Sequence, residues 1–161
     1  MLKKKKVLLG VTASIAAYKT AELVRLLKKA GAVIRVVQTE SSLEFISPLT
    51  LSTLSGNPVL TKMVSEDSGQ WNNHVELGAW ADLFIIAPLT AHTMSKMVQG
   101  KCDNLLLTAY LSAKCPIYFA PAMDLDMMQH PSVQSNVEKL ISYLLVMDTK
   151  SLPLCLADRA L

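Results

Sequence analysis

The chain has 161 residues, of which 51% are hydrophobic and 18% are charged. This length predicts one domain with a sizeable core, and the content of only six glycines and seven prolines excludes a collagen-like or disordered chain. The net charge of +3 includes the lysine run at positions 3–6; without it 12 cations face 13 acidic residues, so no nucleic-acid surface is indicated. The apolar excess, with a mean hydropathy of +0.32, favours a sheet buried on both faces or contacts between subunits.

The cysteines and the N-terminal region indicate a reducing compartment. The three cysteines are Cys102, Cys115 and Cys155, and the lack of a CxxC pair or zinc-ligand spacing argues against a disulfide framework. We expect Cys102 and Cys115 to be core thiols. The lysine run followed by residues 7–18 resembles a signal peptide, but Gly10, Thr12 and Ser14 interrupt the apolar stretch. No apolar stretch reaches the ~18 residues that a membrane span needs. We therefore expect a soluble, cytoplasmic protein.

The first elements in chain order form a strand–helix–strand unit. Residues 6–12 are a short apolar run typical of a strand, and residues 21–29 carry leucines at helical spacing. Residues 33–39 are a second β-branched run. A unit of ~30 residues with this pattern predicts a right-handed crossover and a parallel sheet.

Helix and strand patterns alternate along the rest of the chain. Helical patterns cover residues 42–45, 48–55, 90–98, 104–113 and 132–143, strand patterns cover 81–88 and 116–120, and 64–73 form a polar loop. This alternation predicts an α/β fold over residues 1–143, a single doubly wound, Rossmann-like (flavodoxin-like) domain on a parallel sheet. Residues 144–161 show no periodicity, and we expect an atypical tail, either disordered or the product of a truncated or shifted reading frame.

Ligands of such sheets bind outside the carboxyl ends of the strands. Four of these ends are readable, at residues 10–15, 39–41, 87–93 and 120–124. The first, GVTASIAAYK, places small residues and the hydroxyls of Thr12 and Ser14 before a helix, which suits a phosphate. It is neither GxGxxG nor a Walker A loop, so a purely structural turn remains an alternative.

The histidines and the residues after the last strand each have two interpretations. His74 follows the polar loop, where a surface or helix-capping residue is the alternative to a functional one. His92 is expected in a first helical turn and His130 in a turn before a proline, and the three share no metal-ligand spacing. Asp124 and Asp126 either orient a substrate or cap a helix. The neighbouring methionines are typical of a core or interface: Met123, Met127 and Met128.

Four segments together resemble a known family. GVTASIAAYK, HVELGAWADLFIIAPLTAHTMSKM, CDNLLLTAYL and FAPAMDLDMM follow the order and spacing of the flavin-dependent cysteine decarboxylases, over about residues 5–143. Within this family they are most similar to the branch that decarboxylates 4′-phosphopantothenoylcysteine to 4′-phosphopantetheine in coenzyme A biosynthesis. The resemblance implies bound FMN, a homotrimer that often packs into a dodecamer, and a phosphopantothenate–cysteine ligase as a fused or separate partner.

The resemblance also implies roles for particular residues. His74 matches the catalytic histidine, and Met123 and Asp124 lie in the substrate-binding segment. The residues implied to hold FMN are Ala13, Ser14, Ile15, Thr39, Ser41, Phe45, Thr90, Ala91, His92, Thr93 and Ala122. The implied chemistry oxidises the cysteinyl thiol to a thioaldehyde by hydride transfer to FMN, releases CO2 and returns the hydride, with His74 as the acid–base group.

The sequence departs from the family pattern in three places. Where the family has the motif PASANT, this chain has Leu89 in place of an alanine and His92 in place of the asparagine. Where the family has PAMN, Asp124 replaces the asparagine. An ionised Asp124 would repel a substrate carboxylate that an amide would bind. Nothing in residues 144–161 matches the family's Gly-rich flap and its cysteine, a role that Cys155 is not assigned.

Three other functions stay open at this point. The chain is alternatively a flavin-binding structural or regulatory subunit without decarboxylase activity, a flavin prenyltransferase relative, or a plain nucleotide-binding Rossmann domain. The HVEL and PAM-Asp segments favour the decarboxylase branch over the prenyltransferases.

Overall fold

The structure is a computed structural model that describes residues 2–64, 69 and 71–143. The atypical tail predicted at residues 144–161 lies outside these residues, as does half of the polar loop predicted at residues 64–73. Within the described ranges, no helix has both the length and the apolar composition needed to cross a bilayer.

A single sheet of five parallel strands organises the described chain. Its strands are β1 (Lys6–Val11), β2 (Val33–Gln38), β3 (Val59–Leu60), β4 (Leu83–Leu89) and β5 (Ile117–Pro121). They lie in the order β3-β2-β1-β4-β5, and all pairs are parallel. This is the strand order of the Rossmann type, so the predicted doubly wound parallel sheet is confirmed. The order reverses between β1 and β4, which is the switch point where such sheets bind ligands.

Helices cover both faces of the sheet. They are α1 (Lys19–Lys29), α2 (Pro48–Ser55), α3 (His74–Trp80), α4 (Ala91–Val98), α5 (Leu105–Ser112), α6 (Leu125–Gln129) and α7 (Pro131–Tyr143), with 3-10 turns at Ile15–Tyr18 and Glu40–Glu44. One core layer packs α1 and α2 against the sheet, and the other packs α3, α4, α5 and α7. The long predicted helices are confirmed within one or two residues, whereas β3, α3 and α6 were not predicted.

Side chains of the central strands alternate between the two layers. In β1, Val7 and Leu9 face α1 and α2, whereas Leu8 joins Phe84 in the opposite layer, and all four are fully buried. Burial of each such side chain contributes roughly 1.5–3 kcal/mol. The predicted two-sided burial is therefore confirmed, and it accounts for part of the apolar excess.

The prediction that Cys102 and Cys115 are both core thiols was wrong for the first of them. Cys102 is exposed, because it lies in the turn between α4 and α5, outside either core layer. Cys115 is half-buried, and its burial raises the pKa of its thiol.

A glycine sets how closely α3 approaches α5. A Cβ atom at Gly78 would lie 2.5 Å from the backbone oxygen of Ser112 and 2.7 Å from its carbonyl carbon. Real Cβ atoms do not approach backbone this closely, so any side chain at this position forces the two helices apart.

We expect Gly78→Ala to destabilise the fold by about 1–3 kcal/mol, the usual cost of overpacking a close contact. Chemical denaturation measures the effect. The exposed neighbour Ala79 provides a matched control, since Ala79→Ser changes the same helix without touching α5. Equal stability of Gly78→Ala and the parent protein would contradict the packing argument.

Candidate functional site

A cavity of about 770 Å³ opens at the carboxyl ends of β1 to β4. Its wall combines hydroxyl, amide, charged and apolar side chains from the loops after these strands and from α4 and α5. The lining residues are Ala13, Thr39, Glu40, Ser41, Thr61, Lys62, Met63, Val64, Thr90, His92, Thr93, Lys96, Asp103, Asn104 and Leu105. The volume lies within the ~300–1,000 Å³ of typical ligand and cofactor sites.

The loops after β1 and β4 are joined at the switch point by one buried hydroxyl. Thr12 is fully buried and donates its Oγ1 hydrogen to the carbonyl oxygen of Pro88 at 2.7 Å. The Oγ1 of Thr12 also accepts a hydrogen bond from the backbone N–H of Thr90 at 3.1 Å. Thr90 in turn caps α4, since its hydroxyl oxygen accepts from the N–H of Thr93 at 3.4 Å. Thr12 therefore fixes the position from which α4 starts along the cavity wall.

Two ion pairs lie on the cavity wall. Lys96 of α4 contacts Asp103 with 2.5 Å between Nζ and Oδ2, and this hydrogen-bonded ammonium group lowers the pKa of the Asp103 carboxyl. Lys62 and Glu40 form a longer pair at 4.0 Å. Next to Asp103, Asn104 caps α5 by accepting from the N–H of Leu107 at 2.9 Å. The wall is therefore polar, with its lysines neutralised by neighbouring acids.

His74 is the first residue of α3 and lies beside the cavity wall rather than on it. Asn73 caps this helix, and its side-chain oxygen accepts from the N–H groups of Val75 and Glu76. Asn72 donates its backbone N–H to Met63 and its side-chain N–H to Lys62, both at 2.7 Å. Only Asn73 thus separates His74 from a residue that is bonded to the wall.

The imidazole of His74 has an unsatisfied buried atom. Its Nδ1 is buried without a hydrogen-bond partner among the described residues, and its ring lies edge-on to Trp71 with 6.2 Å between centroids. A buried ring nitrogen without a partner costs free energy, and such groups are frequent where a ligand or a proton-transfer partner binds. The local geometry therefore suits a functional histidine better than a capping one, since Asn73 already caps the helix.

The structure brings six of the residues predicted to bind a cofactor together on one wall: Ala13, Thr39, Ser41, Thr90, His92 and Thr93. The others lie off it. Ser14 caps the first 3-10 turn, Ile15 and Phe45 are exposed, and Ala91 is absent from the lining. Ala122 lines a separate cavity of about 40 Å³ beside Pro88.

The two residues predicted to bind substrate are also outside the cavity lining. Met123 is half-buried against the core layer that contains α4, and Asp124 is exposed at the start of α6, which its side chain does not cap. Among the described residues, no three His, Cys, Asp or Glu side chains gather as a metal site would require.

Sequence reasoning missed the part of the wall that follows β3, at residues 61–64. The two residues of β3 are too few to show a periodicity, so the carboxyl end of this strand could not be located. It also missed Lys96 and Asn104. Lys96 lies one helical turn after His92, and an asparagine before an apolar helix is a recognisable capping signal.

This geometry defines an α/β protein with a ligand cavity at the switch point of a parallel sheet. The chain matches the Flavoprotein family over residues 1–158. It is 43% identical over 138 residues to a probable phosphopantothenoylcysteine decarboxylase of Streptococcus mutans, covering 84% of this chain and 77% of that protein. The chain therefore belongs to the flavoprotein family.

Two other relatives are much longer than this chain. The bifunctional coenzyme A biosynthesis protein CoaBC of Mycolicibacterium smegmatis is 44% identical over 140 residues, which cover 87% of this chain and 33% of the relative. A cysteine/cysteine sulfinic acid decarboxylase from an unknown prokaryote is 58% identical over 92 residues, which cover 57% of this chain and 26% of the relative. The chain thus spans a third or less of these two proteins.

Solved structures share the fold closely. The FMN-dependent cysteine decarboxylase SpaF aligns with a TM-score of 0.81 and 31% identity, over 89% of this chain and 82% of SpaF. A PPC decarboxylase mutant complexed with pantothenoylaminoethenethiol aligns with a TM-score of 0.75 and 31% identity, over 90% of this chain and 81% of that one.

We expect Thr12→Val to lower the stability of the fold by about 1–3 kcal/mol, because it leaves the Pro88 carbonyl and the Thr90 N–H buried without their partner. Thr12→Ser keeps the hydroxyl and is expected to lose much less. Urea denaturation of the two variants separates the hydrogen bonds from the packing of the methyl group. A serine variant as unstable as the valine variant would assign the effect to packing instead.

Proposed function

We propose that this chain is an FMN-dependent decarboxylase that converts 4′-phosphopantothenoylcysteine to 4′-phosphopantetheine. The observation that carries the proposal is the cavity at the switch point, whose wall gathers Thr39, Ser41, Thr90 and Thr93 in a chain of the flavoprotein family. The relative from Streptococcus mutans and the PPC decarboxylase structure, each similar over most of this chain, support the substrate.

The residues of the cavity fit FMN. Phosphate groups are bound by hydroxyls and backbone N–H groups at the carboxyl ends of parallel strands, and Thr39, Ser41 and Thr90 supply such groups here. Ala13 leaves room for the backbone of the first loop to approach a ligand. The lysines of the wall are already paired with acids, so we assign the phosphate to the hydroxyls and the main chain.

The protein's contribution to the reaction is to bind, orient and move protons. FMN, when bound, supplies reversible acceptance of a hydride from the cysteinyl side chain. His74 is proposed to hold and return the proton of the reacting thiol, since imidazole is the commonest acid–base group of enzymes and its Nδ1 is buried without a partner among the described residues. Asn73 and the bonds of Asn72 keep the start of α3 beside the cavity for this role.

We also propose that the protein is a homo-oligomer. All five residues of the edge strand β5 are only partly buried, as are Leu83 and Ile85 of β4 on the face towards α1. Ile15 and Tyr18 add exposed apolar side chains, at 79% and 62% exposure. A second copy covering this face would complete the burial that the composition predicts.

A second substrate class is a specific alternative. The 58% identity to a cysteine/cysteine sulfinic acid decarboxylase over 92 residues supports a smaller amino-acid substrate on the same fold. It is the weaker candidate, because that similarity covers 57% of this chain, whereas the relative from Streptococcus mutans is similar over 84%.

We expect purified protein to retain FMN through gel filtration and to release CO2 when mixed anaerobically with phosphopantothenoylcysteine. Parallel reactions with cysteine and with cysteine sulfinic acid are expected to release none. CO2 from cysteine or its sulfinic acid instead would favour the second substrate class. Retention of FMN without CO2 from any of the three would leave a flavin-binding subunit, and failure to retain FMN would overturn the proposal.

We expect His74→Asn to retain FMN but to slow CO2 release by at least ~100-fold, the usual contribution of a general acid or base. His130→Asn is the matched control, because His130 is an exposed histidine off the cavity wall. Flavin absorbance during anaerobic mixing and CO2 release together measure both properties. An unchanged rate in the His74 variant would remove this residue from the acid–base role.

A further inference from the structure

The carboxyl end of β2 carries a buried amide that no step of the proposed reaction uses. Gln38 is the last residue of this strand, is fully buried, and directly precedes the residues Thr39, Glu40 and Ser41 of the cavity wall. It is the only glutamine among the buried residues of the described chain. A buried amide costs free energy unless it is hydrogen-bonded, so its contacts need an explanation.

The side chain of Gln38 bonds to the 3-10 turn that follows it and to the residue just beyond that turn. Its Nε2 donates to the carbonyl oxygen of Ile46 at 3.1 Å and to the Oγ of Ser42 at 3.3 Å. Ser42 is itself fully buried, and its hydroxyl donates to the carbonyl oxygen of Thr39 at 2.6 Å. One amide group therefore bonds to the middle of the turn that presents Ser41 to the cavity and to the backbone just beyond its end.

The orientation of this amide is fixed, and it leaves one atom unsatisfied. Rotating the amide by half a turn would place Oε1 against the Ile46 carbonyl, where two acceptors would repel each other. In the observed orientation Oε1 is buried without a partner among the described residues. The fold thus keeps an unsatisfied oxygen buried, at a cost in free energy, and both N–H groups of Nε2 are bonded in return. An apolar side chain of equal length would have neither this cost nor these bonds.

We propose that Gln38 is a positioning residue for cofactor binding, acting through the turn Glu40–Glu44 and without touching the cofactor itself. This inference rests on the proposed function for the identity of the ligand, but its effect on the turn does not. Removing the amide removes both the two bonds to the turn and the unsatisfied oxygen. Fold stability and cofactor affinity are therefore expected to respond differently, which a residue needed only for packing would not produce.

The test compares Gln38→Met and Ser42→Ala with the parent protein. We expect Gln38→Met to fold with a modestly lower denaturation midpoint, since the Ile46 carbonyl and the Ser42 hydroxyl lose a donor while one unsatisfied oxygen is removed, and its Kd for FMN to rise roughly three- to tenfold, equivalent to about one net hydrogen bond. Ser42→Ala is expected to weaken FMN binding in the same direction, and it keeps the inference testable if the methionine variant does not fold. Ser55→Ala is the matched control, since this buried serine of α2 bonds to Ser52 and Asn57, off the cavity wall.

A second measurement separates this inference from the proposed function. In protein without flavin, we expect amide hydrogen exchange of residues 42–46 to be faster in Gln38→Met, with β2 unchanged. If the parent protein binds no FMN, the proposed function fails and the exchange rates alone decide the role of Gln38. Unchanged exchange in the turn, or an FMN affinity that the control Ser55→Ala lowers equally, would overturn the inference.

Discussion

The geometry of the cavity depends on the two hydrogen bonds that the hydroxyl of Thr12 makes, to Pro88 and to Thr90. Hydrogen bonding between β1 and β4 aligns the strands but does not fix the loops that leave them. Thr12 extends the connection beyond the strands to Pro88, 76 residues further along the chain, and to the residue that caps α4. Because this oxygen is fully buried, it both donates and accepts without competition from water. The hydroxyl of Thr12 therefore connects the two loops at the switch point directly.

The remainder of the wall is attached to these two loops through separate, weaker connections. The turn after β2 depends on Gln38, and the segment after β3 depends on the bonds of Asn72. Both ion pairs are partly exposed and add little to stability, so they mainly determine the charge that a ligand meets. The cavity therefore combines a side at β1 and β4 that one buried hydroxyl connects with sides that each depend on an amide side chain of their own.

The sequence was sufficient for the elements that repeat a pattern and insufficient for those that are short. Helix α1 has eleven residues and a buried stripe, so periodicity located it, whereas β3 has two residues and α3 has seven with a glycine inside. These short elements exist because the surrounding layers hold them, which no local pattern records. The residues after β1, β2 and β4 were found because topology alone brings the carboxyl ends of parallel strands to one edge.

Individual bonds were beyond sequence reasoning for a related reason. Thr12 was recognised as a hydroxyl in a suitable loop, but its partner is distant in the chain, and nothing local distinguishes it from Ser14. The proposed acid–base role of His74 came from the resemblance to a family. Its physical counterpart, a ring nitrogen buried beside Trp71 without a partner in the described part of the chain, becomes visible only in three dimensions.

The close approach of α3 to α5 has an asymmetric consequence for how this chain can vary. The atoms that Gly78 faces are the backbone oxygen and carbonyl carbon of Ser112, not its side chain. Position 112 is therefore open to other residues that preserve the end of α5, while position 78 admits glycine alone. Trp80, stacked on Arg35 at 4.5 Å, holds the same end of α3 on the sheet. The position of His74, at the other end of α3, thus depends on contact with the main chain of Ser112. That contact is kept when the side chain at position 112 changes.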